Sequence, residues 1–328
     1  MAGGTFERRL REGLPLVLDG ANGTELERRG VSTAGPLWSA GALRTRPEVV
    51  REIHAEYVAA GADIIVANTF RTNPRALERA GCVGDGAELN RLAVLLAREA
   101  VRESGRGVQD HRRDAGATPG ATPGATPGAT PGTTLRPFVA ASVGPVEDCY
   151  RPELAPDMRT LMAEHERNAA WMAAAGPDLV WVETINTVRE AGAVGQVYSR
   201  VGLPWVVCFV TDEGGRLLSG EPLGEAVAAV ERFGPVAIGL NCVPPRGLTG
   251  NLAVLRGLTR GALAAYGHIG NEAPLRGWAY AEWMEPGEYA AEARRWVEGG
   301  ARIVGGCCGT TPGHVAAVRA MVDAIKTG

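Results

Sequence analysis

The chain carries a single lysine, Lys326, close to its end. Without an internal lysine to form a Schiff base, PLP enzymes and lysine-dependent aldolases are disfavoured. No run of about 20 apolar residues is present to cross a bilayer. The opening stretch, Met1 to Gly13, is polar and charged where a secretory signal needs an apolar segment. Both absences point to a cytoplasmic protein without a membrane partner. A surplus of positive charge is missing as well: 34 basic against 37 acidic residues give a formal net charge of -3. That balance lacks the electrostatic footprint of a nucleic-acid binder and favours small-molecule partners. Nor does a full glycine-rich dinucleotide fingerprint follow the first apolar run, which weighs against a doubly wound sheet.

What is present suits one large α/β domain. The chain has 328 residues, 45% of them apolar and 22% charged, enough to bury a full core. Eight short apolar runs ending in small or polar residues lie at 14–21, 62–69, 137–144, 178–184, 204–211, 236–242, 262–270 and 301–308. Helical periodicity is clearest at 47–60, 87–103, 156–175, 222–233, 287–298 and 314–326. This alternation predicts a (β/α)8 TIM barrel spanning residues 1–328. Functional residues are then expected at the C-terminal ends of the strands. Residues 116–132 repeat Gly-Ala-Thr-Pro and hold nothing large enough to pack. They are expected to form a flexible loop on the face away from the site.

The six cysteines are Cys82, Cys149, Cys208, Cys242, Cys307 and Cys308. Disulfides seldom persist in a cytosolic chain, so these thiols are core residues or metal ligands. Cys82, Cys149 and Cys208 read as small core side chains. The other three are different. Gly239-Leu240-Asn241-Cys242 ends the sixth run and Gly305-Gly306-Cys307-Cys308-Gly309 ends the eighth, so all three thiols face one rim. Glycine adds nothing to a core, but it lets a backbone bend tightly around a soft cation. Cys242, Cys307 and Cys308 are therefore expected to form an S3 zinc site, with the fourth tetrahedral position open to a substrate group.

Several further stretches carry a resemblance. Leu18-Asp19-Gly20-Ala21-Asn22-Gly23-Thr24-Glu25-Leu26, Pro36-Leu37-Trp38-Ser39-Ala40, the run from Gly61 to Phe70, Ala141-Ser142-Val143-Gly144-Pro145, Val182-Glu183-Thr184, Asn241-Cys242 and Gly305 to Pro312 follow one another in order. Together they resemble the zinc-dependent homocysteine S-methyltransferases, which are related to betaine-homocysteine methyltransferase and to the homocysteine domain of methionine synthase. The resemblance implies a barrel in which Zn2+ on Cys242, Cys307 and Cys308 binds the homocysteine thiol before methyl transfer. It also implies that Asp19, Gly20 and Glu183 bind substrate, the carboxylates through its ammonium group. A turn or helix cap at Asp19 and an arginine ion pair at Glu183 are the bland alternatives. Betaine-using relatives have an aromatic residue where this chain has Arg71 and a tyrosine where it has Thr184. The donor is therefore expected to be a sulfonium such as S-methylmethionine.

Two points stay open. In Tyr266-Gly267-His268-Ile269-Gly270, histidine stands where the family usually has asparagine. His268 is either a displaceable zinc ligand with a catalytic role or a hydrogen-bonded rim residue. Trp278, Tyr280 and Trp283 either attract a cationic donor or pack as an apolar lid. Thr311-Pro312 reads as the start of the last helix. The alternative functions are methyl transfer to or from another thiol, a selenol or a corrinoid partner, and a non-catalytic zinc- or thiol-binding barrel.

Overall fold

The computed structural model describes residues 3–106, 136–270 and 283–325. Eight parallel strands run β1 (Leu16–Val17), β2 (Ile64–Ala67), β3 (Phe138–Val143), β4 (Leu179–Ile185), β5 (Trp205–Phe209), β6 (Ala237–Asn241), β7 (Ala262–Gly267) and β8 (Ala301–Gly306). Each neighbours the next in sequence, and β1 pairs with β8. A parallel bridge between Leu18 and Ile64 joins β1 to β2 and closes the ring. Asp63 secures that seam, accepting from Val17 N at 3.0 Å and pairing with Arg319 at 2.9 Å. The fold is the expected TIM barrel.

All eight expected strands form, because a strand buried on both faces reads as a continuous apolar run. One set of side chains, including Leu18, Val66, Ala140, Trp181, Cys208, Ala264 and Ile303, fills the inside of the barrel. The other set packs outward on the helices.

The helices are α1 (Gly3–Arg11), α2 (Gly23–Arg28), α3 (Ala42–Thr45), α4 (Pro47–Ala59), α5 (Pro74–Arg79), α6 (Gly86–Glu103), α7 (Met158–Ala175), α8 (Val188–Tyr198), α9 (Leu223–Glu231), α10 (Pro245–Leu258), α11 (Pro286–Glu298) and α12 (Pro312–Ile325). Six of them match the periodic segments, and α12 does begin at Pro312. Periodicity missed α8 and α10, which carry Gly192 and Gly195, and Gly247, Gly250 and Gly257, respectively. Glycine weakens a helix by about 1 kcal/mol relative to alanine, so neither segment stands out without its neighbours. It also missed α1, whose Phe6 and Leu10 enter the barrel's inner cluster. Phe6 meets Phe138, in the first position of β3, edge to face at 5.1 Å. The helix thus plugs the N-terminal end of the barrel and leaves the opposite end to the site.

Among the described residues no helix is long and apolar enough to cross a membrane. The repeat at 116–132, Trp278, Tyr280 and Lys326 lie outside the described residues.

Candidate metal and substrate site

The three cysteines expected to act together do meet. Cys242 follows β6 in a left-handed conformation, φ 54°, which costs a non-glycine residue energy and persists only where surroundings impose it. Here its amide donates to Tyr266 O at 3.1 Å across the rim. Cys307 and Cys308 follow β8 in a loop held on several sides. Thr310 Oγ1 donates to Cys307 O at 2.7 Å, Gly309 N to Thr24 Oγ1 at 3.1 Å, and Arg28 Nη2 to Gly309 O at 2.6 Å. Gly309 has φ 83°, and a Cβ there would stand 2.1 Å from Ile269 O. Only glycine lets the loop turn this closely against the strand-seven side.

The ligating atoms of Cys242, Cys307 and Cys308 all lie within 4.8 Å of one another, and Cys242 Sγ is 3.9 Å from Cys308 Sγ. Zinc–sulfur bonds of about 2.3 Å in a tetrahedron space two sulfurs roughly 3.8 Å apart, so this spacing fits such an ion. The electrostatics agree. Hydrogen bonds shared with Cys307 and Cys308 hold Cys242 well below the usual thiol range, against burial and with help from His268. The same bonds to Cys242, together with burial, push the other two thiols up. Three crowded sulfurs cannot all ionise unless a cation joins them. The cluster can therefore hold a soft metal ion.

His268 stands beside the cluster. Burial, the largest single influence, works against a charge on it, but its hydrogen bonds with Cys242 and the charge of that thiol together outweigh burial and raise its pKa. Tyr150, which sequence reasoning did not select, brings its hydroxyl to 3.2 Å from Cys242 Sγ.

Asp19 and Glu183 share the cavity with the thiols. Asp19 is buried and accepts from Val66 N at 2.8 Å. Burial pushes its pKa well up, the Val66 bond opposes this, and the nearby charge of Glu183 adds to it. Glu183 is half-buried at the cavity wall. Ser142 Oγ donates to its Oε1 at 2.5 Å and Tyr266 OH to its Oε2 at 2.9 Å. Burial nevertheless pushes this carboxyl up to about 7, with the Cys242 charge contributing. No arginine pairs with Glu183 or Asp19 among the described residues. Two carboxyl groups held in this way can receive a cation, whose charge would favour their ionised forms.

Behind Glu183, Thr184 adopts φ 62° where the β4–β5 register shifts. Asn241 holds it there, accepting from Thr184 N at 2.9 Å and donating to its Oγ1 at 3.0 Å. The residue just before the first of the three clustered cysteines thus shapes the strand end that carries the carboxylate.

The cavity measures about 430 Å³. Gly20 lines it and is packed so closely that a Cβ would stand 2.8 Å from Thr310 Oγ1 and Tyr57. Trp38 and Phe70, edge to face at 5.9 Å, form an aromatic wall near Arg71 and Tyr150. Cys82, Cys149 and Cys208 are buried as expected, and Cys149 also lines this cavity. Trp283 packs edge to face on His314 at 5.3 Å and is not part of the wall. For that residue the packing reading holds. The available signal for Phe70, Ser142 and Tyr266 was their place at or just beyond strand ends, and for Trp38 its place in the Pro36-Leu37-Trp38-Ser39-Ala40 motif between α2 and α3.

The family model for homocysteine S-methyltransferase matches residues 16–322. The chain belongs to the homocysteine S-methyltransferase family. It is 32% identical to homocysteine S-methyltransferase 1 of Zea mays, over 94% of each chain. It is 31% identical to homocysteine S-methyltransferase of Escherichia coli, over 93% of this chain and 94% of that one. The crystal structure of the metallated form of the homocysteine methyltransferase MmuM from Escherichia coli superposes with a TM-score of 0.76 at 28% identity, covering 95% of this chain and 97% of that one.

Proposed function

We propose that this member of the family transfers a methyl group from a sulfonium donor to the sulfur of homocysteine, with zinc held by Cys242, Cys307 and Cys308. The observation that carries this reading is the convergence of three thiols with two carboxylates in one cavity at the open end of the barrel. A zinc ion on those sulfurs would keep an acceptor thiol, ordinarily of pKa about 8.5, as a thiolate at neutral pH.

The remaining work falls to the chain's own residues. Asp19 and Glu183 receive the amino-acid ammonium, whose charge offsets the burial that raises both their pKa values. Ser142 and Tyr266 orient Glu183 through its two oxygens. Trp38, Phe70 and Tyr150 bring aromatic rings to the cavity wall, where a cationic donor would gain cation–π attraction that strengthens in a site shielded from water. The acceptor sulfur forms a bond to the methyl carbon as the donor's carbon–sulfur bond breaks. The electron pair goes to the leaving sulfur, which departs as a neutral thioether, and the acceptor's thiol proton is released. Much of the acceleration is positional, because aligning two bound reactants supplies a large effective molarity. His268, beside Cys242, supports that thiolate as a hydrogen-bonding rim residue. All six cysteines are unpaired, which suits a reducing, cytoplasmic compartment.

Metal analysis with an assay for methionine formed from homocysteine and S-methylmethionine tests the proposal. One zinc per chain is expected, and Cys307→Ala or Cys308→Ala should each remove metal and activity together. Full activity in metal-free protein would overturn it.

A further inference from the structure

We propose that Arg71 binds the carboxylate of the methyl donor and so is the residue that selects a donor carrying a negative charge apart from its cation. This rests on the methyl-transfer reading and names the substrate class that the same cavity selects.

Three arginines follow β2 within nine residues, and two are already committed. Arg75 pairs with Glu147 at 2.8 Å and also with Glu164, and Arg79 pairs with Glu147 at 2.7 Å. Arg71 differs. It lines the cavity, as Arg79 does, but among the described residues no carboxylate lies within ion-pairing distance of it. Its Nη1 donates to the backbone oxygen of Glu147 at 2.7 Å, and its guanidinium carbon lies 5.4 Å from the centre of the Phe70 ring. Glu147 is itself buried and clamped by Arg75 and Arg79, so the carbonyl that holds Arg71 is fixed. One N–H is spent on this anchor. A guanidinium has five N–H donors, in a planar fork that matches a carboxylate.

Charge decides what such a fork can accept. The Trp38–Phe70 wall attracts a sulfonium, yet a guanidinium stacked on the same ring repels a ligand that carries only positive charge. A ligand with a carboxylate turns that repulsion into a charge-assisted pair. Arg71 therefore makes an aromatic cation pocket into a zwitterion pocket. It shares its wall with the rings, whereas the ammonium receptor Asp19–Glu183 is built from β1 and β4, which assigns Arg71 to the donor and not to homocysteine.

The test compares S-methylmethionine with its decarboxylated analogue, which keeps the dimethylsulfonium and the amine, in the wild-type chain, Arg71→Met and Arg71→Lys. In the wild type, kcat/KM should favour S-methylmethionine by about 30-fold, the scale of one hydrogen-bonded charge contact. That preference should collapse in Arg71→Met and be partly kept in Arg71→Lys, with the KM for homocysteine unmoved. Calorimetric binding of the same two cations reads Arg71 without turnover. A binding preference lost in Arg71→Met sustains the assignment even if no methionine forms, a result that would count against methyl transfer alone. Equal binding of both cations by the wild type, or an effect of Arg71→Met confined to the KM for homocysteine, would overturn it.

Discussion

Glu183 has a carboxyl pKa of about 7 because burial outweighs the hydrogen bonds from Ser142 and Tyr266 that favour its charge. An ammonium binds the ionised form, which predominates above that value and is lost below it. The KM for homocysteine is therefore expected to rise as pH falls through about 7, as protons compete with the substrate for the carboxylate. Glu183→Gln should raise that KM by about 10-fold or more, the loss of one charged partner, and should remove this limb of the profile. A wild-type KM and pH dependence in the variant would show that Glu183 does not hold the ammonium. The resemblance pointed to Glu183, but its setting was out of reach: Ser142 and Tyr266 lie 41 and 83 residues away in the chain. Nothing local in either motif indicates that their hydroxyls share one carboxylate.

At the scale of elements, short helices and glycine-bearing helices escaped periodicity for different reasons. In α8 the glycine that weakens the pattern is demanded by packing, since a Cβ at Gly195 would stand 2.6 Å from the Phe233 ring. In α1 the few apolar residues, Phe6 and Leu10, face a barrel end that exists only once eight strands have closed. Phe6→Ala should cost about 3 to 5 kcal/mol of stability through the cavity it leaves. Because the plug lies at the end of the barrel away from the thiols, kcat/KM should stay unchanged. Denaturant melts with parallel kinetics would check both halves, and a kinetic defect in a fully folded variant would refute the separation of the two ends.

At the scale of the whole molecule, the barrel separates stability from chemistry. The thiols and carboxylates sit at the C-terminal ends of β1, β4, β6 and β8, while α6 ends and β3 begins at the opposite end. Deleting residues 117–132, which join those two elements, should leave turnover and melting temperature nearly unchanged. Halving a flexible connection alters closure entropy by only about 0.6 kcal/mol. A loss of turnover without unfolding would show that this connection reaches the site.

The sequence by itself determined the barrel and the cysteine cluster. Eight doubly buried strands leave eight apolar runs, and paired cysteines between glycines have little use except around a cation. Strand ends sharing one face then follow from the topology, so Cys242 could be joined to Cys307 and Cys308 without coordinates. Tertiary structure alone decided how the cavity is lined. Cys149 is buried as expected yet also lines the cavity, Trp283 takes the packing role of the two left open for it, and Arg71 is set apart only because Glu147 occupies its two neighbours. Each of these outcomes depends on which partner reaches a side chain first across distant segments. Periodicity reports which face of an element is buried, but not which residue it will meet there.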